Sequence, residues 1–283
     1  MLDILYCDDY MVAIDKPSGL LVHRTALDRH ETEFAVQRLR DQIGQRVWPV
    51  HRLDRGTSGV LVFALDATSA HALAQQFAAH LPAKRYLAVV RGHPPESGEI
   101  DHPLRRIDDA IDPRGAREGA EPVAAQPAVT RYRRLAVAEM PVAIDRYPGS
   151  RYALVEAMPL TGRTHQIRRH LKHIAHPVIG DATYGKGAHN RYVATLCGET
   201  RLLLACIYMH VRHPVSGAGV DLRCGPGTAF ERLAQVFGWD AAVLRPEAVT
   251  GERACSRSRP ELKPAAGRGR IATGGRSHRK HAS

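Results

Sequence analysis

Residues 60–65, VLVFAL, are apolar at every position. A strand with one wet face alternates apolar and polar residues, so this run must be covered on both faces and belongs near the middle of a sheet. Directly before it lies HRLDRGTSG, residues 51–59, a charged stretch whose Gly56 and Gly59 predict a tight turn. Directly after it, Asp66 is placed to cap a helix through about His80, with Ala70, Leu73, Ala74 and Phe77 on one side. A charged turn entering a doubly buried strand is held on a rigid base.

The rest of the pattern grows around that strand. Apolar runs at 2–6 and 11–15 read as two strands about the Asp8-Asp9-Tyr10 turn, and Lys16-Pro17-Ser18-Gly19 bends the chain after them. Further strands are predicted over 86–90, 128–137, 152–158 and 201–211, and helices over 32–43, 164–176 and 228–237. Residues 105–127, rich in Gly, Pro and charge, read as a solvated loop insertion. Strands with few helices and no regular βαβ alternation predict an α+β fold with a mixed sheet, one domain over 1–245. Residues 251–283 hold nine Lys or Arg against Glu252 and Glu261 and almost no large apolar side chains. They carry most of the net charge of +11 and read as a disordered basic tail.

Composition excludes several classes. No run of 18 apolar residues predicts a membrane span, and the N-terminal residues lack the pattern of a signal peptide. The five cysteines are scattered without a CxxC pair, which predicts neither a zinc ribbon nor a disulfide framework, and points to a cytoplasmic protein. GxxxxGK[ST], a GxGxxG opening a βαβ unit, and GxSxG are all missing, so no nucleotide cofactor is expected.

Three clusters can carry chemistry. Asp54 sits among His51, Arg52 and Arg55, whose guanidinium groups favour its ionised form. That suits a nucleophile, although an ordinary surface ion pair reads the same way. In the 164–176 helix, Ile167, Leu171 and Ile174 define a buried stripe. At about 100° per residue Arg168 lies on the border of that stripe, while Arg169 and Lys172 face water or phosphate. His170, His173 and His176 are three apart, but no carboxylate completes a ligand set, so no metal is predicted. Tyr86, after Lys84 and Arg85, can offer its ring to a base or pack as a core tyrosine.

Four segments, DDYMVAIDKPSGLLVH (8–23), HRLDRGTSGVLV (51–62), KRYLAVVRG (84–92) and TGRTHQIRRHLKHIAHPVIGDATYG (161–185), together resemble the RluA-type pseudouridine synthases over about residues 1–240. Residues 126–159 look most like the branch of that family, TruC, that modifies position 65 of tRNA. The resemblance implies a mixed, mainly antiparallel curved sheet with flanking helices and a central cleft, and no separate S4 domain. It implies that Asp54 is catalytic, that Tyr86 stacks on the target uracil and takes the C5 proton, and that Arg168 pairs with Asp54. His23, His51, Arg52, Arg55, Arg169 and Lys172 become candidate RNA contacts. The implied reaction isomerises uridine to pseudouridine without metal or cofactor, in a monomer whose partner is RNA, most simply tRNA. A uridine in ribosomal RNA, or RNA binding without catalysis, are the alternative readings. One departure stands out: Leu204-Ala205-Cys206 occupies the place where the family usually reads L-H-A.

Overall fold

The computed structural model describes residues 1–23, 31–107 and 124–245. The expected tail at 251–283 and most of the expected insertion at 105–127 lie outside the described residues. Twelve strands and five α-helices follow in chain order. The strands are β1 (Asp3–Cys7), β2 (Met11–Lys16), β3 (Trp48–Pro49), β4 (Ser58–Ala64), β5 (Ala83–Arg91), β6 (Ser97–Asp101), β7 (Leu104–Arg105), β8 (Ala125–Gln126), β9 (Val129–Met140), β10 (Ser150–Pro159), β11 (Leu204–Arg212) and β12 (Gly219–Arg223). The helices are α1 (Ala35–Ile43), α2 (Ala67–Ala78), α3 (Gln166–His173), α4 (Gly187–Cys197) and α5 (Thr228–Phe237).

Ten strands form one sheet in the order β1-β2-β4-β11-β5-β10-β9-β6, with β12 added to β11 and β3 to β4. Its neighbours run antiparallel except β4 and β11, which are parallel over just Ala205↔Ser58 and Cys206↔Gly59. Two antiparallel halves therefore meet at a short seam. Gly59 makes the seam possible: its φ is +108°, and a Cβ there would collide with the Cys206 carbonyl. The expected mixed, mainly antiparallel α+β architecture is what the chain adopts.

The run that opened the sequence reading behaves as its composition demands, since Val60, Leu61, Val62, Phe63 and Ala64 are all fully buried in β4. At about 1.5–3 kcal/mol per buried large apolar side chain, this strand anchors its half of the sheet. One core cluster spans both halves and includes Tyr86, the buried side of α1 and the apolar stripe of α3, which packs on β9 and β10. On the opposite face, α4 and α5 cover Leu87, Val89, Tyr152 and Leu154.

Helix ends follow local chemistry. Asp66 caps α2 by accepting from the Ser69 amide at 2.8 Å, as its position predicts. The helix expected over 164–176 is shorter, because His165 and Ala175 take left-handed φ of 54° and 65° and close it at both ends. The helix expected from 32 starts at Ala35, since Phe34 is extended and bridges Leu21. Helix α4 escaped the sequence reading: its buried residues are His189, Val193 and Cys197, a stripe too weak in apolar character to register.

Candidate active site

The turn before β4 is built on backbone bonds. The Thr57 amide donates to the Asp54 carbonyl at 3.1 Å, and the Gly19 amide donates to Arg55 O at 2.8 Å. Fully buried Lys16 donates through Nζ to the carbonyls of Leu20 (2.7 Å), Pro17 (2.9 Å) and Arg55 (3.2 Å). Ser18 Oγ adds a bond to Gly56 O at 2.7 Å. The Lys-Pro-Ser-Gly bend thus clamps the Asp54 turn from beneath. Burial pushes Lys16 down to about 7, against the pull of the Asp54 and Asp15 charges.

Asp54 meets its cation across the seam rather than next door. Arg168 Nη1 donates to Asp54 Oδ2 at 3.0 Å, while Arg168 Nε and Nη2 donate to Asp181 Oδ2 and Oδ1 at 2.7 and 3.0 Å. The flanking guanidinium expected beside Asp54 is directed elsewhere in the case of Arg55, which pairs with Glu31 Oε1 at 2.6 Å. Among the described residues Asp54 Oδ1 accepts no hydrogen bond, and the carboxylate stays 19% exposed.

Asp181, in the GDATYG stretch, is the second anchor of Arg168. It accepts from the amides of Thr183 and Tyr184, both at 2.9 Å, and its side chain is 1% exposed. Gly180, at φ +80°, lets this turn pass over the Arg201 backbone, where a Cβ would not fit. Burial acts to raise the Asp181 pKa, but the Arg168 bonds and charge and the two amides outweigh it and hold it below the usual value. Burial acts to lower Arg168, and the carboxylates of Asp181 and Asp54 reverse that and raise it. The Tyr184 ring lies 5.2 Å under the same guanidinium. A carboxylate in a hydrogen-bonded turn thirteen residues after the arginine was the signal available in the sequence.

A cavity of about 520 Å³ opens beside the pair. Asp54, Tyr86, Lys84, His51, Arg52, Leu204 and the loop through Thr161–Gln166 line it. Tyr86 is 8% exposed. Burial, with the neighbouring Cys206 thiol and the Asp54 charge, pushes its pKa well above 10, so the ring stands in the wall as a neutral phenol. His51 also lines the cavity, but its Nε2 accepts from the Val62 amide at 2.9 Å and its ring stacks on Phe77 with centroids 4.3 Å apart. Burial, helped by the Lys84 charge, pushes it down to about 3, so the ring is neutral. Its partner there is the β4 backbone.

The other expected contacts scatter around the rim. Arg52 is exposed at the cavity edge, and His23 is exposed outside the cavity lining. Arg169 points away from Asp54 and donates to Arg105 O at 2.9 Å, and exposed Lys172 lies 5.9 Å from the Tyr184 ring. The departure at Ala205 is buried on the α4–α5 face, while Cys206 is buried on the Tyr86 side. Among the described residues no cluster of three or more His, Cys, Asp or Glu could hold a metal ion.

The aspartate-arginine pair and the buried tyrosine thus come together in the wall of one cavity, near the seam where the two halves of the sheet meet. Residues 10–173 match the family model described as RNA pseudouridylate synthase. The chain belongs to that family. It is 46% identical over 244 residues to the tRNA pseudouridine synthase C of Vibrio cholerae, covering 86% of this chain and 99% of that protein. It is 48% identical over 238 residues to the protein of the same name from Haemophilus ducreyi, covering 84% and 96%. The solved structure of human RNA Pseudouridylate Synthase Domain Containing 4 superposes with a TM-score of 0.57 at 26% identity, covering 82% of this chain and 92% of that one. That of Domain Containing 1 gives 0.61 at 24% identity, a likeness of fold, over 84% and 95%.

Proposed function

We propose that this enzyme isomerises a uridine of tRNA to pseudouridine, at position 65, with Asp54 as the catalytic carboxylate. The observation that carries the reading is the division of Asp54: Arg168 holds Oδ2, and Oδ1 is unclaimed by the described residues at the wall of a cavity that also displays Tyr86. A carboxylate that is oriented and charge-matched but keeps one oxygen open can attack C1′ or take the 2′ proton. The names carried by the Vibrio and Haemophilus relatives support tRNA over ribosomal RNA.

The N1–C1′ bond breaks as Asp54 bonds C1′ or takes the 2′ proton; uracil turns over Tyr86; C5 bonds to C1′ as the Asp54 ester breaks or the 2′ proton returns; then the C5 proton leaves and N1 takes one up, so no atom is gained or lost. Tyr86 stacks against the base, and its hydroxyl oxygen is the cavity group assigned to that proton. Burial keeps it a phenol. Losing the C5 proton restores an aromatic ring, so a weak base suffices. Opening the stacked uridine costs a few kcal/mol, which Arg52, Arg55, Arg169, Lys172, His23 and His51 would help to repay through RNA contacts. The enzyme acts as a cytoplasmic monomer in this reading; among the described residues no helix is long and apolar enough to cross a membrane.

Tritium release from tRNA labelled at uridine C5, with the product position mapped by sequencing, tests this. Wild-type turnover at one uridine of the TΨC-arm stem, abolished in Asp54→Asn, is the expected result. Turnover by Asp54→Asn within tenfold of wild type would overturn the assignment.

A further inference from the structure

Three cations among the described residues line the cavity: Arg52, Arg163 and Lys84. Two belong to its rim. Arg52 is exposed, and Arg163 Nε donates to Pro127 O at 3.1 Å. Lys84 differs in place and in surroundings. It lies on β5, two residues before Tyr86, so both side chains leave the same face of the strand about 6.7 Å apart. It is half-buried, and among the described residues it has neither a hydrogen bond nor a carboxylate within ion-pair distance. The groups around it are the Cys206 thiol and the rings of His51 and His80. Burial disfavours the charged form of both rings and of Lys84 alike, but an amine starts from a far higher value than an imidazole, so the ammonium is the cation of this group.

A half-buried ammonium without a counter-charge costs free energy unless a ligand supplies one. Phosphates of a flipped nucleotide remain at the cavity mouth, beside Arg52, whereas the base is its deepest part. We propose that Lys84 donates to a carbonyl oxygen of the flipped uracil and stabilises the negative charge that departs with the base. The proposal rests on the uridine-isomerase reading above. When N1–C1′ breaks, the bonding pair stays on N1 and spreads onto O2 and O4, while the sugar carbon is taken by Asp54 or by loss of its 2′ proton. Lys84 keeps its own proton throughout. The turn that exchanges N1 for C5 also exchanges O2 for O4, so a carbonyl oxygen faces Lys84 before and after it, and the ammonium also keeps the freed base from leaving the site. A donor aimed at developing charge in a water-poor cavity typically contributes about 10²–10³ in rate.

The test is Lys84→Met in the full-length chain, with circular dichroism melting to confirm folding, read in two ways. The first is single-turnover conversion at saturating tRNA carrying either uridine or 5-fluorouridine at the target. Fluorine makes the uracil a better leaving group, and because it replaces the C5 hydrogen, disappearance of the original nucleoside is read. The second is affinity for tRNA with an abasic target. Lys84→Met should slow uridine conversion about 100-fold, slow fluorouridine conversion distinctly less, and bind abasic tRNA as wild type does. Conversion of uridine within threefold of wild type, equal losses on the two bases, or weaker binding of abasic tRNA with a shallower salt slope would each overturn the proposal. The last outcome would place Lys84 on a phosphate. Failure of the wild-type enzyme to convert uridine would instead refute the isomerase reading.

Discussion

Two charged clusters lie on opposite faces of the sheet: one in the cleft lined by Tyr86, the other around Glu156 and Arg85, one residue from the Ala157–Tyr86 pair along β10 and β5. In the cleft, one arginine lies between two acids: Arg168 bonds Asp181 with two nitrogens and Asp54 with a third. On the far face one acid lies between two arginines. Glu156, 4% exposed, takes Arg85 Nε on Oε1 at 2.7 Å and Arg133 on Oε2 at 3.2 Å. The neighbouring pair Ala157↔Tyr86 faces the cleft, and strand alternation sends Glu156 and Arg85 the other way. The clusters use the same chemistry but differ in what they leave over. Both oxygens of Glu156 are engaged, whereas Asp54 keeps Oδ1. A saturated carboxylate only holds strands together; a half-saturated one can react.

The sharpest way to break this contrast is Asp54→Asn. Turnover at saturating tRNA should fall at least about a thousandfold while tRNA affinity and melting temperature barely move, because Arg168 keeps Asp181. Loss of stability in step with activity would make the cleft cluster a structural one after all. Arg168→Ala should combine the two effects. It leaves Asp181 buried without a partner, at about 3–5 kcal/mol in denaturant unfolding, and it also stops turnover. Arg169→Ala, one residue on, should leave stability within about 0.5 kcal/mol and reduce only RNA affinity and its salt dependence. Equal effects of the two arginines on saturated turnover would refute the geometry of α3.

Glu156→Gln is the mirror experiment. With two guanidinium groups left short of charge, urea unfolding should show a loss of about 1–3 kcal/mol, and saturated turnover should stay within about threefold of wild type. A folded Glu156→Gln protein without turnover would show that the far cluster positions Tyr86. The last effect is read against pH and belongs to His51. Its folded pKa of about 3 lies below the usual 6.5, so the unfolded chain binds the extra proton between those values. Stability is therefore complete above about pH 6.5 and declines as pH falls toward 3, by up to about 1.4 kcal/mol per pH unit. His51→Gln should flatten unfolding free energy against pH in that window. An unchanged slope would mean that the ring is not held neutral.

The sequence disclosed what local pattern determines. Val60–Ala64 announces a doubly buried strand, Asp66 a capped helix, and the angular position of Arg168 separates it from Arg169. What it concealed depends on contacts between distant segments. Nothing local distinguishes Arg55, which turns to Glu31, from Arg168, which crosses 114 residues to Asp54. Asp181 was not singled out, because its bond to Arg168 exists only once α3 packs beside its turn. Lys84 was visible just before the strand expected over 86–90, and its lack of a partner among the described residues emerges only when the cavity around it is drawn. Helix α4 was missed because two of the three residues it buries, His189 and Cys197, are not typical core residues.

The seam between β4 and β11 has a consequence for the order of assembly. Ser58 and Gly59 find their partners only at Ala205 and Cys206, almost a hundred and fifty residues further along the chain. A nascent polypeptide can pair β1, β2, β3 and β4 as soon as they emerge, yet the Ser58–Gly59 end of β4, on the edge that β3 and His51 cover further along, stays unclaimed until β11 is made. Non-local pairings of this kind are slow to form, and exposed apolar edges are prone to stick. The central strand is thus among the first elements to gain a neighbour and among the last to be finished, so the cleft is complete only once β11 has been made. Pulse-labelled hydrogen exchange during refolding should show protection of β4 amides facing β2 before protection along the β4–β11 seam.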